Sequence, residues 1–133
     1  MIKIGILGAG QLARMLAFAA RPMGIHTVCY SKEISPTIEQ VSEVFSGHLL
    51  EFEQQVDVIT YETENIPLEF IAPLMQSSKL KPHFEALKLA QDRWLEKKFF
   101  QSLQIKTATC LEVKQKEDLS TLGFPAILKT RLY

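Results

Sequence analysis

An excess of charge of either sign is missing from this chain: 15 lysines and arginines face 15 aspartates and glutamates. A nucleic-acid or anionic-membrane binder normally carries a basic excess or patch, so neither partner is expected. Cysteine is scarce as well. Cys29 and Cys110 stand alone in apolar, strand-like stretches without CxxC or Cys/His ligand spacing. That excludes a disulfide framework and a zinc ribbon, and it predicts buried free thiols in a reducing compartment. No apolar run reaches the ~20 residues of a membrane span. The first run is broken by Gly8, Gly10, Gln11 and Arg14, with no small-residue cleavage site behind it, unlike a secretory leader. A cytoplasmic protein is the expectation. Walker GxxxxGK[ST], HExxH, GxSxG and EF-hand patterns are absent, as are internal repeats and low-complexity tracts. His26, His48 and His83 are scattered without ligand or triad spacing and read as surface or strand-edge residues.

What is present reads as globular. The 47% hydrophobic content set against 23% charged residues argues against disorder, and 133 residues suffice for one domain with a core plus part of a second. Strand and helix patterns alternate. Residues 2–7 read as a buried strand. Residues 10–21 read as a helix with Leu12, Met15, Leu16 and Ala19 on one face, ended by Pro22-Met23-Gly24. A second strand, His26 to Tyr30, precedes a short helix opened by Ser35-Pro36. Val44-Phe45 is a brief strand, 49–55 a helix, Val56–Tyr61 a strand, and Pro67 starts a helix to about Met75. This succession predicts an α/β fold with a Rossmann-like parallel sheet covered on both faces, binding ligands at the carboxyl ends of its strands. The second part changes character. Phe84–Leu103 is helical with a break near Gln91-Asp92, Thr107–Val113 reads as a strand and Lys116–Leu122 as a short helix. After a turn at Gly123-Phe124-Pro125, Pro125–Arg131 reads as a last strand. A division into residues 1–90 and 91–133 follows from this shift.

Gly8-Ala9-Gly10-Gln11-Leu12-Ala13 fits the G-x-G-x-x-A fingerprint between a strand and a helix. Glycines let the backbone approach a ligand, and the N–H groups of the helix start attract anions. A tight turn kept for packing is the plainer alternative. The dinucleotide version expects an acid at the end of the second strand, about 20 residues on, to hold the ribose hydroxyls. Tyr30-Ser31-Lys32 stands there, with Glu33 arriving late and after a cation, which weakens an NAD site. Glu62 and Glu64 follow the strand that should end at the same edge. There they either accept hydrogen bonds from ligand amino or hydroxyl groups or form a solvated acidic loop. Lys129 inside an apolar strand-like run, and Arg93 near a helix start, are by themselves surface cations or phosphate contacts.

Taken in order and spacing, GILGAGQLARML, DVITYETENIP, AQDRWLEKKFFQSLQI and GFPAILKTR resemble the N5-carboxyaminoimidazole ribonucleotide synthetase family, ATP-grasp enzymes of purine biosynthesis. The likeness spans essentially the whole chain. GxGQLxRM, TYExEN and DRxxEK are specific in combination, though each alone is weak. The resemblance implies a preATP-grasp domain followed by the truncated start of an ATP-grasp domain. It also implies the family reaction: ATP and bicarbonate carboxylate the amine of 5-aminoimidazole ribonucleotide through carboxyphosphate, with Mg²⁺ on the ATP phosphates, in a homodimeric full-length protein.

By resemblance, Gly8, Gly10, Gln11 and Leu12 form the turn that touches the ribonucleotide. Glu62 meets the substrate's amino side, and Glu64 is the second candidate. Arg93 contacts ATP and Lys129 reaches its phosphates. Ala13 stands where glycine is common in the family, and the sequence stops where the family continues into a glycine-rich lid. The metal ligands are expected beyond residue 133, no catalytic residue is expected within the chain, and the chain alone is expected to be inactive. An NAD(P)-binding oxidoreductase domain and a non-catalytic dimerisation module are the competing readings.

Overall fold

The computed structural model describes residues 1–33 and 36–132. They fall into two compact units, Met1–Leu87 and Lys88–Tyr133. In the first, β1 (Lys3–Leu7), α1 (Gln11–Ala20), β2 (His26–Tyr30), α2 (Pro36–Glu39), β3 (Glu43–Phe45), α3 (Leu49–Gln55), β4 (Val58–Tyr61) and α4 (Leu68–Ile71) follow in turn. Short 3₁₀ turns extend α1 over Arg21–Met23 and α4 over Ala72–Leu74. The predicted opening of α2 at Ser35 lies outside the described residues.

The four strands pair in parallel in the order β3-β2-β1-β4, as the α/β reading requires. Leu7 lies opposite Tyr30 on one side and Tyr61 on the other, so three strand ends share one edge. The free side of β4 is covered by the segment around Leu80: Ile59 N–H donates to Lys79 C=O and Lys81 N–H to Ile59 C=O, both at 2.8 Å.

Alternation along the strands sends successive side chains to opposite faces. Leu7, Val28, Tyr30 and Ile59 join Leu49, Phe52, Ile71, Leu74, Leu80, Phe84 and Leu87 in the larger core. Ile6 and Cys29 point the other way and pack with Ala13 and Ile38. On the first face α3 sits close because Gly5 has no side chain. A Cβ there would lie 2.6 Å from the Phe52 ring. Tyr30 closes this core with an edge-on ring contact to Phe52, centroids 5.3 Å apart, and donates its hydroxyl to Gly47 C=O at 2.8 Å. On the second face α1 buries Ala13, Ala17 and Ala20. The Leu12, Met15, Leu16 and Ala19 stripe picked out in the sequence is exposed instead. Small residues let the helix lie near the sheet, which larger ones would hold off.

The second unit takes in the end of α5 (Phe84–Gln91), whose Phe84 and Leu87 belong to the first core, and continues with α6 (Arg93–Ser102). Asp92 separates the two helices, at the predicted break. A 3₁₀ turn occupies Lys116–Thr121. Neither Thr107–Val113 nor Pro125–Arg131 is a strand, contrary to the sequence reading. A strand exists only as a partner in a ladder, and among the described residues neither segment has one. Cys29 is buried as expected; Cys110 is only half-buried, in one of these unpaired segments. Among the described residues no helix is long and apolar enough to cross a membrane.

Candidate functional site

The shared edge of the sheet places the glycine turn and the end of β4 side by side. Gly8 N–H donates to Tyr30 C=O at 3.1 Å and Glu62 N–H to Leu7 C=O at 3.2 Å, which ties both segments to neighbouring strands. Gly8 has φ +121°, and a Cβ at that position would overlap Glu62 Oε1. Only glycine meets both conditions without strain.

Glu62 occupies the turn. Its Oε2 accepts from Gly10 N–H at 3.0 Å and Ala13 N–H at 2.9 Å, and Oε1 stands 3.3 Å from the same Gly10 nitrogen. Gly10 is the N-cap of α1 and has no side chain to satisfy the helix donors. A carboxylate from 52 residues away supplies the cap instead. Gln11 and Leu12, the next two residues of α1, carry the helix-start N–H groups that Glu62 does not take. The turn predicted to cradle an anion therefore already holds one, and it belongs to the chain. A ligand arriving here meets carboxylate oxygens with lone pairs to spare, so it must offer amino or hydroxyl hydrogens on that side. A pyrophosphate laid across the same donors would face Glu62 directly, and β2 ends in Tyr30, whose hydroxyl is committed to Gly47. Both observations count against a dinucleotide.

Beside the turn, Leu12, Met15, Leu16, Ala19, Thr60, Tyr61 and Glu62 line an open groove of about 470 Å³. Burial, and then the charge of nearby Glu64, push the Tyr61 hydroxyl above its ordinary value. Glu64 thus stands next to Tyr61, while Glu62 is the member of the pair on the glycine turn. Behind the turn, burial pushes the Cys29 thiol up; a hydrogen bond with Ser42 opposes this and the Glu62 charge adds to it.

In the second unit, Arg93 begins α6 and donates from Nη1 to the carbonyl of Thr130 at 2.7 Å and to its hydroxyl at 3.2 Å. Lys129, next to Thr130, is exposed. The two predicted nucleotide cations are thus joined through one residue. Sequence reading missed what organises them. Asp92 caps α6, its Oδ1 accepting from Trp94 N–H at 3.0 Å and Leu95 N–H at 3.1 Å, and Arg131 clasps the same carboxylate. The Arg131 hydrogen bonds hold the Asp92 carboxyl below its ordinary range, against the opposing effect of desolvation. An Asp directly before an apolar-periodic run is a recognisable N-cap signal; its Arg131 partner, 39 residues on, has no local signature. Among the described residues no group of three or more His, Cys, Asp or Glu side chains gathers to hold a metal ion.

Comparison with known proteins places this geometry. Residues 1–91 match the family model of the ribonucleotide synthetase preATP-grasp domain. The N5-carboxyaminoimidazole ribonucleotide synthase of Pseudomonas aeruginosa is 36% identical over 98% of this chain and 39% of its own length. The crystal structure of N5-carboxyaminoimidazole ribonucleotide synthetase from Thermus thermophilus superposes with a TM-score of 0.80 at 40% identity, covering 96% of this chain and 38% of that one. The Staphylococcus aureus synthetase complexed with ADP gives 0.81 at 32% identity, over 99% and 39%. The chain therefore spans just under two-fifths of the length of these relatives. With the parallel sheet, the glycine turn and the family match over residues 1–91 in agreement, the chain belongs to the ribonucleotide synthetase preATP-grasp family.

Proposed function

We propose that this chain supplies the ribonucleotide-binding edge and two nucleotide-phosphate cations of an ATP-dependent ligase. In that reading residues 1–90 are the preATP-grasp domain and residues 91–133 open an ATP-grasp domain. The reaction is carboxylation of the exocyclic amine of 5-aminoimidazole ribonucleotide by bicarbonate and ATP, giving N5-carboxyaminoimidazole ribonucleotide, ADP and phosphate. ATP first phosphorylates bicarbonate; the amine then attacks the carboxyphosphate carbon, phosphate leaves, and the amine gives up a proton. Mg²⁺ would supply charge neutralisation to the ATP phosphates, and among the described residues no group of three or more His, Cys, Asp or Glu side chains fits it. A homodimeric cytoplasmic enzyme belongs to the same proposal.

Glu62 carries the reading. Its carboxylate is fixed at the carboxyl edge of the sheet by Gly10 and Ala13, so an amine or ribose hydroxyl can donate to it without any rearrangement of the protein. Gln11 and Leu12 flank it with main-chain donors, and Glu64 stands two residues further on. Arg93 and Lys129 supply the cations that triphosphate oxygens require. The ADP found with the Staphylococcus aureus relative supports the nucleotide half of the reading.

Calorimetric titration of the chain with 5-aminoimidazole ribonucleotide and, separately, with NADH tests this. Saturable ribonucleotide binding that weakens about tenfold in Glu62→Gln is expected, the scale of losing one charged hydrogen bond. Saturable NADH binding with no ribonucleotide binding would overturn the proposal in favour of a dinucleotide domain.

A further inference from the structure

A helix start exposes four main-chain N–H groups that lack partners within the helix. In α6 all four are taken. Asp92 N–H reaches Leu89 C=O at 3.3 Å, and Arg93 N–H reaches Arg131 C=O at 3.1 Å. Trp94 and Leu95 N–H go to the Asp92 carboxylate. Nothing remains there for a phosphate, so any nucleotide bound at this end of the unit must be met by side chains. Arg131 is committed too. Its Nε lies 2.9 and 2.8 Å from the two Asp92 oxygens, Nη2 lies 2.8 Å from Oδ2, and Nη1 lies 2.9 Å from Glu112 Oε1. Two carboxylates face this one guanidinium, which removes it from competition for phosphate.

The arrangement is a closed ring. The Arg131 side chain holds the Asp92 side chain, the Arg131 carbonyl holds the Arg93 amide, and the Arg93 side chain holds Thr130. Residues 130 and 131 are thereby fastened to the first turn of α6, and Lys129 is the next residue along. We propose that Arg131, paired with Asp92, is a positioning residue for a nucleoside di- or triphosphate: it touches no phosphate itself but sets Arg93 and Lys129 relative to each other. This rests on the reading of Arg93 and Lys129 as nucleotide contacts. Without the ring, Lys129 would sit on a segment that has no ladder partner among the described residues, and its ammonium would have to be ordered at the moment of binding.

Trp94, the single tryptophan, is the second residue of α6 and serves as reporter. ADP is titrated against the whole chain and against Arg131→Gln, Asp92→Asn, their double variant and Lys129→Gln, across a range of salt concentrations. Asn remains a good N-cap, so Asp92→Asn removes the ion pair while sparing the helix start. Each ring variant is expected to raise the ADP Kd about tenfold, and the double variant no further than either single one, because both break one coupled unit. Lys129→Gln should flatten the salt dependence of binding clearly more than Arg131→Gln does, since a direct phosphate contact contributes most to it and a more distant, carboxylate-paired cation less. Amide exchange at Arg93 should speed up in Arg131→Gln while the β1 amides stay protected.

An unchanged Kd in Arg131→Gln, with ADP still bound by the parent chain, overturns the positioning role alone. A salt slope flattened in Arg131→Gln as much as in Lys129→Gln makes Arg131 a direct phosphate contact and overturns it as well. If the parent chain fails to bind ADP, the nucleotide reading falls and the positioning role falls with it. An Arg93 amide that exchanges equally fast in both proteins overturns the ring itself.

Discussion

Up to Leu87 the described residues hide eighteen hydrophobic side chains in the interior; from Lys88 onward they bury one side chain, and it is that of Asp92. The first unit is held by apolar packing on both faces of a sheet. The second is held by a hydrogen-bonded ring around a helix start, and its Phe124, Ile127 and Leu128 stand exposed. Yet each unit solves the same local problem with an acid. Glu62 caps α1 from a distant strand end, and Asp92 caps α6 from the adjoining position. In the first unit the acid is left with lone pairs toward an open groove; in the second a guanidinium covers it. One carboxylate is thus placed to meet a ligand, the other to hold its neighbours in place.

Removing an aromatic ring from each unit should separate the two most widely. Phe52→Ala should cost about 4 kcal/mol in chemical denaturation, since the ring is fully buried against Gly5 and Tyr30. Phe99→Ala, at a position 44% exposed, should cost about 1 kcal/mol at most. Equal losses would mean that the second unit has a packed core after all. Next in size is Gly8→Ala, where positive φ and the overlap with Glu62 should together cost about 2–3 kcal/mol. Gly123→Ala serves as its counterpart, because a Cβ there meets nothing within 4 Å, and its melting temperature should not move.

Smaller again is the loss of the α6 cap: Asp92→Ala should weaken the second unit by about 1–2 kcal/mol, read from Trp94 emission. Arg131 holds the Asp92 carboxyl below its ordinary range. Its contribution is therefore complete above that range and disappears as the pH falls through the lowered value. Acid should release Trp94 later in the parent chain than in Arg131→Gln; coincident titrations would show that the pair is not formed. Least in energy, though simplest to read, is thiol labelling. Half-buried Cys110 should react with a water-soluble disulfide reagent in the folded chain, and Cys29 should wait for unfolding. Early labelling of Cys29 would contradict the closed second face of the sheet.

The legible parts of this molecule are those decided by neighbouring residues. β1, α1 and β2 could be placed from apolar periodicity and glycine punctuation because local propensity and tertiary packing agree there. The same logic fails for Pro125–Arg131: its composition suits a strand, but strand formation depends on a partner that a local pattern does not contain. On α1 the larger apolar residues drew attention, while the sheet accepts only the alanines between them. Glu62 stood out by position at a strand end, but its seat on the glycine turn depends on a contact 52 residues away. Lys129 and Arg93 carried no signal that separates a phosphate contact from a surface cation, and the ring through Thr130 and Arg131 is what joins them in space.

The alanine side of α1 also shapes how this sequence can drift. Ala13, Ala17 and Ala20 are spaced to lie along one side of the helix, and all three are buried. A methylene gained at Ala13, which packs with Ile6, Cys29 and Ile38, would pull its amide from Glu62, so a packing change would be felt as a change in ligand recognition. Leu12, Met15 and Leu16 answer to no such constraint from within the fold. Random mutagenesis scored for folding alone should therefore split this one helix into two lineages of positions, one frozen at small side chains and one free to wander.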